Sequence, residues 1–215
     1  MFYGVILLVL LIVAGVLLID PISKSVLESQ IRSQTGMDVK IGKVAVGLTS
    51  PTVRIENCVI YNTADFGGSP FIQMPELYLE YNRELIKSRI LELKLMRLNL
   101  SDIVIVEGKG GRSNIDELMD KSKKSASKEK ASVIFGGIDT LNLTLQTIHH
   151  VTLGPPLSEQ KFDLKIKNEI FHDLRKDGDY QKMAMVLIAK CGSNMFFGNN
   201  SATNAKAPAV KTETK

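Results

Sequence analysis

Residues 91–108 read LELKLMRLNLSDIVIVEG, and the reading of this stretch decides the fold. Leu91, Leu93 and Leu95 share one parity; after a phase break Leu98 and Leu100 share the other, with Lys94, Arg97 and Asn99 between them. Asp102 then leads into the apolar run Ile103–Val106. Side chains alternate across a strand, so a period of two with one apolar set marks strands with a single buried face. One-faced strands are the mark of an antiparallel sheet; strands of a parallel sheet covered on both sides are apolar throughout.

The same period extends in both directions. Upstream, MDVKIGKVAVGL alternates Val39 and Ile41 with Lys40, then Val44, Val46 and Leu48 with small residues. TVRIENCVIYN places Val53, Ile55, Val59 and Tyr61 on one face and Arg54, Glu56 and Cys58 on the other. IQMPELYLEYN aligns Leu77, Leu79 and Tyr81; its Pro75 has no N–H to give a ladder and marks a strand start, a bulge or an edge. Downstream, Leu141, Leu143 and Leu145, then Phe162, Leu164 and Ile166, repeat the pattern. About seven one-sided strands are expected.

The remaining segments read differently. Residues 21–36 form a short amphipathic helix ending at Gly36, RELIKSRI gives one or two helical turns, and Asn114 is the N-cap of the helix IDELM. KSKKSASKEK, at 121–130, carries five lysines and no large apolar residue, and predicts a solvated Lys-rich linker over 121–132. YQKMAMVLIAKCG predicts a C-terminal helix closing on Gly192, and a polar, disordered tail occupies 199–215. At the other terminus FYGVILLVLLIVAGVLLI, residues 2–19, holds no charge. At about 1.5 Å per residue it spans roughly 27 Å, close to a hydrocarbon core of about 30 Å. No Lys or Arg precedes it and no A-x-A pattern follows, so residues 1–20 read as an uncleaved transmembrane anchor rather than a signal peptide. By count, Lys24, Arg32 and Lys40 beyond it favour a cytoplasmic body.

Composition narrows the function. Among 215 residues, 27 Lys+Arg against 23 Asp+Glu leave a net charge of +4, too small an excess for a nucleic-acid footprint. Cys58 and Cys191 are too few for a disulfide scaffold or a tetrahedral zinc site. His149 and His150 are adjacent in a strand and point to opposite faces, which does not suit one metal, and His172 stands alone. GKGGR at 108–112 lacks the endings of a P-loop or dinucleotide fingerprint. No Ser–His–Asp set stands out, so the expectation is a protein that is not an enzyme and uses no cofactor and no metal. Lys121, Lys123, Lys124, Lys128 and Lys130 suit anionic headgroups if they come close to a bilayer, and otherwise a solvated loop. No aromatic residue lies among them to stack on bases.

From TGMDVKIGKVAVGL through VRIENCVIYNTADFGGSPFIQMPELYLEY to RELIKSRILELKLMRLNLSDIVIVEGKGGRSNIDEL, the order of elements resembles the N-terminal region of the AsmA-like family, relatives of the bridge-like lipid-transfer proteins. Asn62, Gly67, Gly68, Leu85, Asn114 and Leu118 stand at the pattern's positions, and with the anchor the resemblance covers about half the chain. It implies a bent antiparallel sheet whose concave, groove-like face is apolar and holds acyl chains. It also implies a bacterial inner-membrane anchor with the body in the periplasm, against the charge count. Strands lie about 4.8 Å apart, so seven or eight give a groove of roughly 35 Å, too short to bridge an envelope alone.

The expected fold class is therefore α+β: an N-terminal transmembrane helix, then over residues 37–198 a bent, mainly antiparallel sheet with a C-terminal helix. Candidate lipid-binding residues are Val53, Ile55, Leu77, Leu79, Leu91, Leu93, Leu141, Leu143, Leu164 and Ile166. A one-sided sheet must cover its apolar face; where helices leave it open, it becomes a lipid or partner site. Two functions follow: a non-enzymatic protein sheltering phospholipid acyl chains in lipid transport or envelope organisation, or an anchored scaffold binding an envelope protein or a second copy through its sheet edge or apolar face. Membrane lipids are the expected partners, and nucleic acid is not.

Overall fold

The computed structural model describes residues 24–47, 49–108, 110–126 and 134–197. The expected anchor over 1–20 and tail over 199–215 lie outside the described residues, and no described helix is long and apolar enough to cross a membrane. Six strands form one sheet in chain order: β1 (Val39–Val46), β2 (Thr52–Tyr61), β3 (Pro70–Tyr81), β4 (Ile90–Glu107), β5 (Ile134–Thr152) and β6 (Ser158–Leu174). Neighbours are antiparallel except β4 and β5, which run parallel. Among the described residues four α-helices complete an α+β architecture: α1 (Lys24–Thr35), α2 (Arg83–Lys87), α3 (Asn114–Ala126) and the C-terminal α4 (Asp177–Phe197).

Three expectations are corrected. Residues 90–107 make one strand rather than two, so the sheet has six strands and not seven. Its phase breaks are absorbed internally: Leu91 and Leu93 are buried, then Met96, Leu98 and Leu100, then Ile103 and Ile105. The first half of the expected Lys-rich linker is helical, because α3 continues through Lys121–Ala126. A parallel neighbour needs a crossover of a dozen residues or more, and α3 with its flanking segments supplies it. The C-terminal helix is longer than 180–191 at both ends.

The phase of β2 is also corrected. Cys58 and Ile60 are buried with Val53 and Ile55, while Val59 and Tyr61 are only half-buried. The switch occurs at Asn57, whose φ of +53° is a left-handed conformation that asparagine tolerates better than most residues. Asn57 lies beside Gly42 of β1 and opposite Pro75 of β3, and both of those strands change phase at the same row. A Cβ on Gly42 would stand 2.9 Å from that of Asn57, so glycine is required where the two backbones crowd. Irregularities of this kind bend a strand. Pro75 thus marks a break in an interior strand, not an edge.

The strand directions give the sheet two ends. The α2 end holds residues 49–51, α2, the start of β5 and the β6–α4 junction; the Asn114 end holds residues 62–69, 110–113 and 153–157. The inner face of all six strands, with side chains of α1, α3 and α4, forms one apolar cluster.

Candidate functional site

All ten candidate residues fall in that cluster. Val53, Ile55, Leu77, Leu79 and Leu93 are fully buried, and Leu91, Leu141, Leu143, Leu164 and Ile166 are at most 4% exposed. The inner face is thus continuous and apolar, and it is closed in this state. The described polar residues buried within the fold are Thr35, Asn62, Asn114 and Thr147. Each has a partner: Thr35 Oγ1 donates to the Ile31 carbonyl at 2.7 Å, and Thr147 Oγ1 approaches Asp163 Oδ1 at 3.5 Å. Burial pushes the Cys58 thiol up to about 12, with the Glu28 carboxylate adding to the effect, so it stays a neutral, inert part of the lining.

One cover of this face is α1 with α3. α1 packs on β1 and on α3, and α3 packs on β4; Leu27, Ile31, Ile115 and Leu118 are all buried. The start of α3 is fixed by a polar clasp. Asn114 Oδ1 accepts from the Val106 amide at 3.1 Å, and its Nδ2 donates to the Val104 carbonyl at 2.9 Å and to Asn62 Oδ1 at 2.6 Å. Asn62 in turn donates to Ser69 Oγ at 3.3 Å. The two asparagines quoted for the resemblance therefore meet in space. Asn114 was expected as an N-cap; its side chain instead holds the end of β4, while Ser113 and Asp116 bond each other at the helix start. That Ser113 amide and hydroxyl, by donating to Asp116, hold its carboxyl below the ordinary range.

The second cover is α4, which packs against β6. Tyr180, Met183 and Leu187 are buried, and the Tyr180 hydroxyl donates to the Leu174 carbonyl at 3.0 Å. Near its far end Lys190 Nζ lies 2.6 Å from Glu169 Oε2. The helix also exposes apolar side chains: Met185 is 69% exposed and Ile188 51%. Sequence reasoning missed this outer face, although the apolar run MAMVLI, with no polar stripe, signals it.

Both sheet edges are blunted. β1 is short and carries Lys40 and Lys43, and its Ile41 amide is taken by Glu28 of α1 at 2.8 Å. β6 carries Lys161, Lys165 and Lys167 and has left-handed residues at Lys165, Asn168 and Asp173. Edge lysines and bulges are the devices that discourage added strands.

The histidines occupy separate polar settings. His149 stands between Glu159, at 3.1 Å, and Asp102, at 3.5 Å; His150 is 3.9 Å from Glu107, and His172 is 3.4 Å from Thr140. Among the described residues no group of three or more His, Cys, Asp or Glu could hold a metal ion. The chain matches no protein-family model, no curated protein and no solved structure.

Proposed function

We propose that this chain is a membrane-anchored, non-enzymatic AsmA-like protein that shelters phospholipid acyl chains on the groove-like inner face of its bent sheet, in lipid transport or envelope organisation. The anchor lies in a bacterial inner membrane and the body in the periplasm. The observation that carries the reading is the unbroken apolar lining, in which all ten candidate residues share one cluster without a charged side chain. Each buried CH₂ of an acyl chain contributes about 0.8 kcal/mol, so a face of this extent offsets the cost of drawing a chain partly out of the bilayer. Because the face is closed, entry needs a cover to move, and α4, which packs on the edge strand β6, is the cover that lifts. Lifting it exposes Tyr180, Met183 and Leu187 and breaks the Lys190–Glu169 pair.

The test is photocrosslinking of the full chain in proteoliposomes with a phospholipid carrying a photoactivatable acyl chain. Adducts on peptides containing Leu79, Leu93 and Leu141 are expected. Adducts confined to residues 2–19 would sink the reading.

The exposed apolar side chains of α4 favour a second reading, a scaffold that docks a protein partner through Met185 and Ile188 rather than through its blunted edges. Co-purification of a stoichiometric partner that Met185→Asp abolishes, with no inner-face adduct, would select it.

A further inference from the structure

We propose that the α2 end of the sheet rests on the bilayer and binds the headgroups of anionic phospholipids. The inference rests on the anchored reading above and adds to it an orientation and a headgroup class.

Chain direction supplies the first argument. α1 ends beside the start of β1 and runs back along it: the Gly36 amide donates to the Arg32 carbonyl, and Glu28 is level with Ile41. Lys24 therefore lies a turn nearer the α2 end, and α1 begins on that side. α3 points the same way. It starts at Asn114, clasped to Asn62, and the chain must reach Ile134, whose amide donates to the Arg89 carbonyl at 2.8 Å. The last two turns of α3, which contain Lys121, Lys123 and Lys124, thus run toward the α2 end.

Charge supplies the second. Arg83, Lys87 and Arg89 are exposed around α2, where Glu84 is the exposed carboxylate among them. Lys176 is exposed at the β6–α4 junction; there Asp179 accepts from the amides of residues 175 and 176, Arg175 pairs with Glu92 and Asp139, and Asp177 is also exposed. At the opposite end Asp65, Asp116, Asp120, Glu159 and Asp163 are exposed against Arg112 and Lys161. With Asp173 also exposed at the α2 end, the exposed side chains still give that end a basic excess and the opposite end an acidic one. Val46, 41% exposed, and Ile134, 62% exposed, lie at the basic end, and Leu157, 77% exposed, at the other. Cationic side chains beside projecting apolar ones suit an anionic interface, which attracts the former and receives the latter.

The full chain, with Cys191 replaced by serine and Cys58 shielded by burial, would carry a fluorophore through either Ser88→Cys at the α2 end or Leu157→Cys at the Asn114 end. Each is placed in nanodiscs whose headgroups bear a quencher, made of phosphatidylcholine alone or with phosphatidylglycerol. Strong quenching at residue 88 is expected only with the anionic lipid, falling in about 1 M salt, where the Debye length is about 3 Å. Quenching at residue 157 should stay low in all discs. Lys87→Glu with Arg89→Glu should weaken the anionic contact roughly fivefold or more for each residue changed. The salt series on the unmutated chain reads the same contact without risk to folding. Equal quenching at residue 88 in neutral and anionic discs, or stronger quenching at 157, overturns the proposal. The photocrosslinking result is separate: a domain seated on this end without acyl chains inside would sink the sheltering function alone.

Discussion

α1 and α3 hold one side of the inner face through a buried apolar seam and a network of amide hydrogen bonds, whereas among the described side chains α4 holds the other through Tyr180, Met183 and Leu187, the Tyr180–Leu174 hydrogen bond and an exposed ion pair. The first cover is built into the chain's path. α3 is the crossover between two parallel strands, and α1 leads into β1 and fills an edge amide with Glu28. The second is appended after the last strand, beside an edge strand already bent by three left-handed residues. An element that packs chiefly on an edge strand belongs to the low-stability part of a fold, where moving parts are found. The difference separates a permanent wall from a candidate lid.

The largest effect should come from breaching the face that both covers share. Leu79 is fully buried on an interior strand, and an aspartate there would place a charge among Ile55, Leu77 and Met96 with no partner. Leu79→Asp should cost about 4 kcal/mol or more and abolish the folded state, seen as loss of the cooperative urea transition. A folded Leu79→Asp protein would mean the face is open to water. Acidic substitution of the inner face is therefore a test of closure and cannot serve as a test of lipid binding.

Next in size is the clasp. Asn114→Ala removes three hydrogen bonds and leaves the Val106 amide buried without its acceptor, which should cost about 3 kcal/mol globally. Asn62→Ala should cost less, and the double variant should cost clearly less than the sum, because the two amides bond each other. Additivity would show that the clasp is two independent contacts. Leu187→Ala deletes a comparable volume from α4, about 2 kcal/mol or more by the usual core scale. That loss should appear as faster amide exchange confined to α4, with the sheet unchanged. Equally faster exchange across the whole sheet would erase the distinction between wall and lid.

Cys58 gives a pH handle on the wall alone. Its folded pKa is raised to about 12 from a model-compound value of 9.0, so the unfolded chain loses the proton first. The contribution to stability is intact below pH 9 and is lost as pH rises from there toward 12. Cys58→Ala should flatten this part of the alkaline stability curve, measured by urea midpoints. An unchanged slope would show that the thiol is not shielded by α1 and β1.

These contrasts were unevenly legible in the residues. Alternation identified the strands and the inner face because a period of two survives between bulges, and all ten candidate positions fell on the buried side. It failed at Cys58, Val59 and Tyr61 because Asn57 takes a left-handed backbone that no alternation rule anticipates. Lys121–Ala126 read as a linker because lysine and serine are polar, yet a helix with one buried turn ahead of it can extend through polar residues. The Asn62–Asn114 bond joins residues 52 positions apart, and only the sheet's register brings them together. The apolar outer face of α4 was visible as a run without polar stripe, but which side of it meets β6 depends on packing.

The smallest predicted change sharpens the comparison most. The Lys190–Glu169 pair is short, yet Lys190 is half-exposed, and exposed pairs contribute about 0.2–1 kcal/mol. Lys190→Ala should leave the global urea midpoint almost unmoved. The same few tenths of a kcal/mol act differently on α4, because local opening of a lid draws on fewer contacts than global unfolding does. Amide exchange in α4 should rise by roughly twofold to fivefold, and added salt should produce the same rise in the unmutated chain by screening the pair. If Lys190→Ala lowers global stability by more than about 1 kcal/mol, the pair is part of the wall and α4 does not move alone. If exchange in α4 is insensitive to both the substitution and salt, Tyr180, Met183 and Leu187 hold the helix by themselves, and the ion pair is an ornament of the closed state rather than its latch.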